Sequence, residues 1–315
     1  MQLVFCGTPQ FAVPSLETLL SLPEFEILGV FTQPDRPRGR GQEVTSSPVK
    51  EAALAANVPV HQPSKIRAPE VEEQLRALTP DAIIIIAYGQ IIPGRLLTIP
   101  RRGWINLHAS LLPKYRGAAP IAWAIANGEA VTGNTSMRID AGMDTGEMLL
   151  QQELAVGPDE TAPELSARLS QSGAELMVKT LRGLAANEIA PEAQDPAEAT
   201  YAPILKREDG LINWNRTAQE IYNRMRGFTP WPGAYTQFRG QTCHLFGQPA
   251  PGESTQKAPG TLISKLGRVV VSCGAATVLE LTHVKLEGRK QVNAAEFANG
   301  ARLQTEEQFG KRDLR

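Results

Sequence analysis

The sequence predicts an open, mostly parallel α/β sheet followed by a small β-barrel. Three observations carry that prediction. Strand-like and helix-like segments alternate through the first two thirds of the chain, the pattern of successive βα units. Residues 83–86 are four isoleucines, an unbroken apolar run suited to a central strand covered on both faces. In the last third, short β-like runs are separated by Gly and Pro, as in small barrels.

Taken in order, residues 3–6, 27–32, 82–87, 104–108, 135–139 and 148–152 read as the strands of the sheet. Between them, residues 11–20, 47–56, 69–78 and 120–126 carry apolar side chains at helical spacing. A long helix follows. Thr161 and Glu164 have capping-box spacing, and Leu165, Leu169, Leu176 and Leu184 form its apolar stripe. Residues 187–203, NEIAPEAQDPAEATYAP, are rich in Pro, Ala and acid and read as an extended linker. Beyond it, residues 217–226 suit a helix, and 234–238, 242–246, 269–272 and 277–285 suit strands. The expected organisation is an α/β domain over 1–186, a linker over 187–203 and a β-barrel domain over 204–315.

Composition narrows the class. Of the 315 residues, 42% are hydrophobic and 21% charged, a globular balance. The longest apolar run, around residues 81–92, is too short to span a bilayer, so no membrane association is expected. The N-terminus reads as a first strand, not a signal peptide. Three scattered cysteines point to a reducing, cytoplasmic setting. The net charge of −1 hides a split. Residues 205–315 hold 16 Lys and Arg against 10 Asp and Glu, net +6, whereas the rest holds 16 against 23, net −7. A polyanionic partner for the basic part explains that split; so does ordinary fluctuation.

In open α/β sheets, ligands bind beyond the carboxyl ends of the strands. The stretch WINLHASLLPKYRG, residues 104–117, puts Asn106 and His108 at such an end, two apart and so on one face. A histidine there is more often structural than catalytic, but three features favour chemistry. Asn106 shares its face, and SLLP at residues 110–113 ends the strand in a turn. Downstream, RIDAGMDTGEML at residues 138–149 is an acidic loop with Gly142 and Gly146 flanking Asp144. A carboxylate beside an imidazole favours its protonated form and fixes its orientation. Amide, imidazole and carboxylate together suit acyl transfer without a nucleophilic side chain.

These motifs resemble a known family. INLHASLLPKYRGAAPIAWAI with DAGMDTG at residues 140–146 is similar to the signature of 10-formyltetrahydrofolate-dependent formyltransferases. FCGTPQFAVPSLETLL, FTQPDRPRGRG at residues 31–41 and RMRGFTPWPGAYT at 224–236 narrow the likeness to the branch that formylates methionine on initiator tRNA. The resemblance implies a Rossmann-like domain followed by an OB-like barrel. It implies 10-formyltetrahydrofolate as donor, initiator methionyl-tRNA as acceptor, and no metal or obligate protein partner. It makes Asn106, His108 and Asp144 the catalytic set and places Ser110, Leu111, Leu112 and Pro113 in the folate site.

The resemblance also assigns the loop PDRPRGRGQEVTSSP, residues 34–48, to the acceptor end of the tRNA, with Arg36, Arg38 and Arg40 as contacts. Arginine's planar fork can hold two phosphate oxygens. Gln42 and Glu43 stand where the family often has lysines, which leaves Arg38 and Arg40 as the main candidates. Composition alone equally allows a solvated loop. Lys285, Arg289 and Lys290 form a second basic group. Two other functions stay open: a folate-dependent formyltransferase acting on an amino-sugar nucleotide or glycinamide ribonucleotide, and a non-catalytic RNA-binding protein. The four histidines lack metal-ligand spacing, and neither GxGxxG nor a P-loop occurs. Cys243–His244 reads as a strand dipeptide and Trp231 as a packing anchor. Phe11 reads either as core or, by family analogy, as lining of the acceptor pocket.

Overall fold

The isoleucine run forms the central strand of a seven-stranded sheet, and every residue of that strand is buried. The structure, a computed structural model, describes residues 1–38, 43–265 and 267–310. It divides into two units, each described by itself. The first comprises residues 1–120, 131–155 and 164–203; the second comprises 121–130, 156–163 and the chain from 204 onward.

In chain order the first elements are β1 (Gln2–Gly7), α1 (Val13–Leu20), β2 (Glu26–Phe31), β3 (Arg36–Arg38), β4 (Glu43–Thr45) and α2 (Pro48–Ala55). Then come β5 (Val60–His61), α3 (Pro69–Leu78), β6 (Ala82–Ile86), α4 (Gly94–Leu97), β7 (Trp104–His108) and α5 (Pro120–Ala126). They are followed by β8 (Val131–Arg138), β9 (Met148–Ala155) and α6 (Ala162–Ala186). The sheet order is β5-β2-β1-β6-β7-β8-β9. The first five strands run parallel, and β8 and β9 extend the edge antiparallel. The predicted mostly parallel sheet is therefore a mixed one.

Strand alternation sorts the apolar residues into two cores. Leu3, Phe5, Ile84, Ile105 and Leu107 point into one, where they meet α1 and the α6 residues Leu176, Met177 and Leu181. Val4, Cys6, Ile83, Ile85 and Trp104 point into the other, with Val71 and Leu75 of α3. Each such leucine, fully buried, contributes about 1.5–3 kcal/mol of transfer free energy. Helix α6 approaches β7 closely at Gly173, where an added Cβ would lie 2.6 Å from Leu107 Cδ2. Since Trp104 faces the second core, the pleat sends Asn106 and His108 to that same side.

Residues 187–203 do not hang free. Met148 and Glu192 exchange backbone hydrogen bonds of 2.8 and 2.9 Å, and Arg116 pairs with Tyr201. Gln194 and Ala202 are buried, and the segment clusters with the first unit. Its composition reads as a linker because backbone bonds and one glutamine anchor it, not an apolar stripe.

The second unit contains α5, α7 (Ala218–Gly227) and the strands β10 (Tyr235–Phe238), β11 (Gln241–Pro249), β12 (Leu262–Lys265), β13 (Arg268–Ser272), β14 (Val278–Leu286) and β15 (Val292–Asn293), then α8 (Ala294–Ala301). Helix α7 starts at a capping box, with Thr217 Oγ1 accepting from Glu220 N. The antiparallel order is β10-β11-β14-β13-β12, with β15 on β14. The core holds Trp214, Phe238, Leu245, Val271, Leu281 and Phe297. The expected barrel is not closed: among the described residues, β10 and β12 do not pair. Residues 307–310 run between these edges instead. Leu262 N donates to Glu307 O and Phe309 N to Gly260 O on one side, and Gly310 N donates to Gln237 O on the other. The two strand ends thus satisfy their backbone groups through an irregular segment.

Candidate active site

Strand β7 ends at His108, which is only 6% exposed. Its Nε2 lies 2.9 Å from Tyr115 O, and its Nδ1 lies 3.6 Å from Asp144 Oδ2. Both partners only accept, but the carbonyl alone is within hydrogen-bond distance, so the hydrogen of the neutral ring is assigned to Nε2. Nδ1 then holds the lone pair and faces the carboxylate. A proton taken up by the ring arrives at Nδ1, where Asp144 balances the new charge.

Asp144 is held by two contacts, and its loop by a third at Gly146. Its Oδ2 accepts from Gly117 N at 2.8 Å. Gln194 Nε2 donates to Asp144 O at 2.9 Å and to Gly146 O at 2.8 Å. The Asp144 backbone has φ +54°, a left-handed conformation that aspartate tolerates better than most residues. Upstream, Asp140 Oδ1 accepts from Gly142 N and Thr145 Oγ1.

The turn after β7 therefore holds both partners. Tyr115 supplies a carbonyl to the imidazole, and Gly117 supplies an N–H to the carboxylate. The turn itself is pinned by residues 200–202: Tyr115 N donates to Thr200 Oγ1, Arg116 N to Thr200 O and Ala202 N to Arg116 O. Gly117 has φ +118°, and an added Cβ would lie 2.7 Å from Ala202 O, so only glycine fits there.

Asn106 is half-buried on the same face, and its side chain makes no hydrogen bond among the described residues. Its amide N–H groups are free to donate to a bound molecule. Residues 110–113 form a turn with a cis Leu112–Pro113 bond. Thr135 Oγ1 donates to Ser110 O at 2.7 Å and accepts from Leu112 N at 3.1 Å. Gln151 Nε2 donates to Leu112 O at 2.8 Å. Ser110 and Leu112 are buried and serve the turn, with Ser110 Oγ donating to Lys114 O; Leu111 and Pro113 keep partial exposure.

The structure thus brings Asn106, His108 and Asp144 to one unit and sets the last two side by side. Sequence reading did not find Tyr115, Gly117, Arg116 or Gln194. Three of these act through backbone groups or lie inside a turn, and the fourth sits in a stretch whose composition signals only extension. Arg36 is exposed on β3, which pairs antiparallel with β4; Arg38 lies on the same strand, and Arg40 falls outside the described residues. All three cysteines are buried. Burial pushes their thiols up, Cys243 and Cys273 to about 12, so neither of those two is a thiolate at neutral pH. Cys243 is a strand residue on β11, as its sequence context suggests.

The fold and this site define a class. The family description Formyl transferase matches residues 1–181, and Formyl transferase, C-terminal domain, matches residues 204–302; the chain belongs to the formyl transferase family. Along its whole length it is similar to proteins named methionyl-tRNA formyltransferase. It is 52% identical to that of Solibacter usitatus over 314 residues, covering 100% of each chain. It is 53% identical to that of Koribacter versatilis over 312 residues, covering 99% of each. Among solved structures, the N-formyltransferase from Helicobacter canadensis, in complex with folinic acid and dTDP-3-aminofucose, has a TM-score of 0.65 at 20% identity. That match covers 89% of this chain and 98% of the other, a likeness of fold.

Proposed function

We infer that the chain transfers the formyl group of 10-formyltetrahydrofolate to the α-amino group of methionine on initiator methionyl-tRNA. The observation that carries this reading is the full-length likeness to methionyl-tRNA formyltransferases, at about half identity, in a chain whose His108 faces Asp144. The amine attacks the formyl carbon, and the carbonyl oxygen gathers charge. Asn106 donates to that oxyanion. His108 takes the amine's proton at Nδ1, beside Asp144. The bond from the formyl carbon to the folate nitrogen then breaks, the proton passes to that nitrogen, and tetrahydrofolate leaves. Ser110, Leu111, Leu112 and Pro113 shape the folate side of the site, Leu111 and Pro113 through their partly exposed side chains.

The test of the reading is an acceptor panel. The folate donor is supplied with charged initiator tRNA, an amino-sugar nucleotide and glycinamide ribonucleotide in turn. Formylation of the tRNA-borne methionine is expected; formylation of only a small molecule overturns the tRNA assignment.

In this reading the loop that carries Arg36, Arg38 and Arg40 engages the acceptor end of the tRNA, because arginine's planar fork can hold two phosphate oxygens. Arg40→Ala is expected to raise KM for tRNA and to flatten its salt dependence, with log K losing roughly one unit of slope per phosphate contact removed. An unchanged salt response means the loop touches no phosphate. The second unit serves as an OB-like tRNA platform in this reading, with Lys285, Arg289 and Lys290 exposed at the end of β14 and the turn beyond it. In this reading the protein works in the cytoplasm, as its three scattered cysteines suggest. Among the described residues, no helix is long and apolar enough to cross a membrane.

A further inference from the structure

Arg116 is only 4% exposed, and among the described residues no carboxylate pairs with it. Its Nε and Nη2 both donate to one atom, Gln194 Oε1, at 2.9 and 2.7 Å. Burying a guanidinium without an anion is costly, so the contact calls for a reason. The reason lies on the far side of Gln194. Its Nε2 donates one hydrogen to Asp144 O and the other to Gly146 O, at 2.9 and 2.8 Å. Chemistry leaves the amide no alternative orientation. The guanidinium only donates, so Oε1 must face it; the two carbonyls only accept, so Nε2 must face them.

We propose that Arg116 and Gln194 are positioning residues that set the Asp144 loop so that its carboxylate meets His108 Nδ1. The inference rests on the catalytic reading of His108 and Asp144 given above. Arg116 fixes the amide, the amide grips the backbone on both sides of Thr145, and Asp144 is kept in its left-handed conformation. Arg116 also stands between the two residues whose backbone groups hold His108 and Asp144. Imidazole, carboxylate and loop are thereby referenced to one short stretch of chain. The segment that composition marks as a linker supplies a part of the site.

Two substitutions at Gln194 separate positioning from general stability. Gln194→Glu keeps an acceptor for Arg116 and gives it a charge partner, but sets a carboxylate oxygen against two carbonyls. Gln194→Met removes both functions. Asp144→Asn is measured beside them, all in the full-length chain with 10-formyltetrahydrofolate and charged initiator tRNA. The expected result for Gln194→Glu is a fall in kcat of about 10- to 100-fold, the scale of a small misplacement of a reacting group. KM for both substrates stays within about threefold and the melting temperature does not fall, since the buried cation gains an anion. Gln194→Met loses rate and stability together. Full kcat in Gln194→Glu while Asp144→Asn is slow overturns the positioning role and leaves the catalytic reading standing. A rate loss in Gln194→Glu that tracks a drop in melting temperature as Gln194→Met does also overturns it. An undiminished rate in Asp144→Asn overturns both.

Discussion

His108→Ala is expected to lower kcat by about a hundred- to ten-thousandfold, the range a positioned proton acceptor supplies. The ring's Nδ1 faces the Asp144 carboxylate, and its other nitrogen is committed to Tyr115 O. Without it, the attacking amine must lose its proton to water while Asp144 faces an empty space. Removal also costs stability, because a hydrogen bond to the buried Tyr115 carbonyl is lost, about 0.5–1.5 kcal/mol. The measurement is therefore kcat on charged initiator tRNA beside a thermal melt and far-UV circular dichroism. A folded variant retaining a third of the parent rate removes His108 from the proton path.

Asn106→Ala is expected to lose about a hundred- to a thousandfold in kcat, equivalent to about 2.7–4 kcal/mol of transition-state stabilisation. The contrast with His108 is in stability. The Asn106 side chain has no hydrogen-bond partner among the described residues, so its loss orphans no buried group and the melting temperature should stay within about a degree. KM for each substrate should change little, because the donor matters when negative charge develops on the formyl oxygen. A variant with kcat within threefold of the parent assigns the oxyanion to another donor.

Much of this was legible beforehand, and the rest was hidden for physical reasons. Strand β7 and helices α3 and α5 stand at the residues their periodicity indicates. Asn106 and His108 share a face because strand pleating leaves no alternative. The nearness of Asp144 was readable only through family likeness, since 36 residues of chain separate it from His108 and no local rule closes that distance. Strand β5 is two residues long, and β12 and α8 are short, so each gives too little pattern to stand out. Among the described residues the barrel does not close strand to strand, and residues 307–310, which run between its edges, pair by backbone bonding without a strand-like side-chain pattern. Gln194 illustrates the general limit: a buried side chain whose whole function is to bridge a guanidinium to two carbonyls leaves no mark in hydropathy.

Residues 115–117 hold the imidazole by a carbonyl and the carboxylate by an N–H, while Asn106 belongs to the rigid strand before them. Amide and imidazole thus share one strand, and the carboxylate comes to them on a separate loop. A sideways drift of that loop would leave Asn106 and His108 in register and change only the gap between Asp144 and the ring.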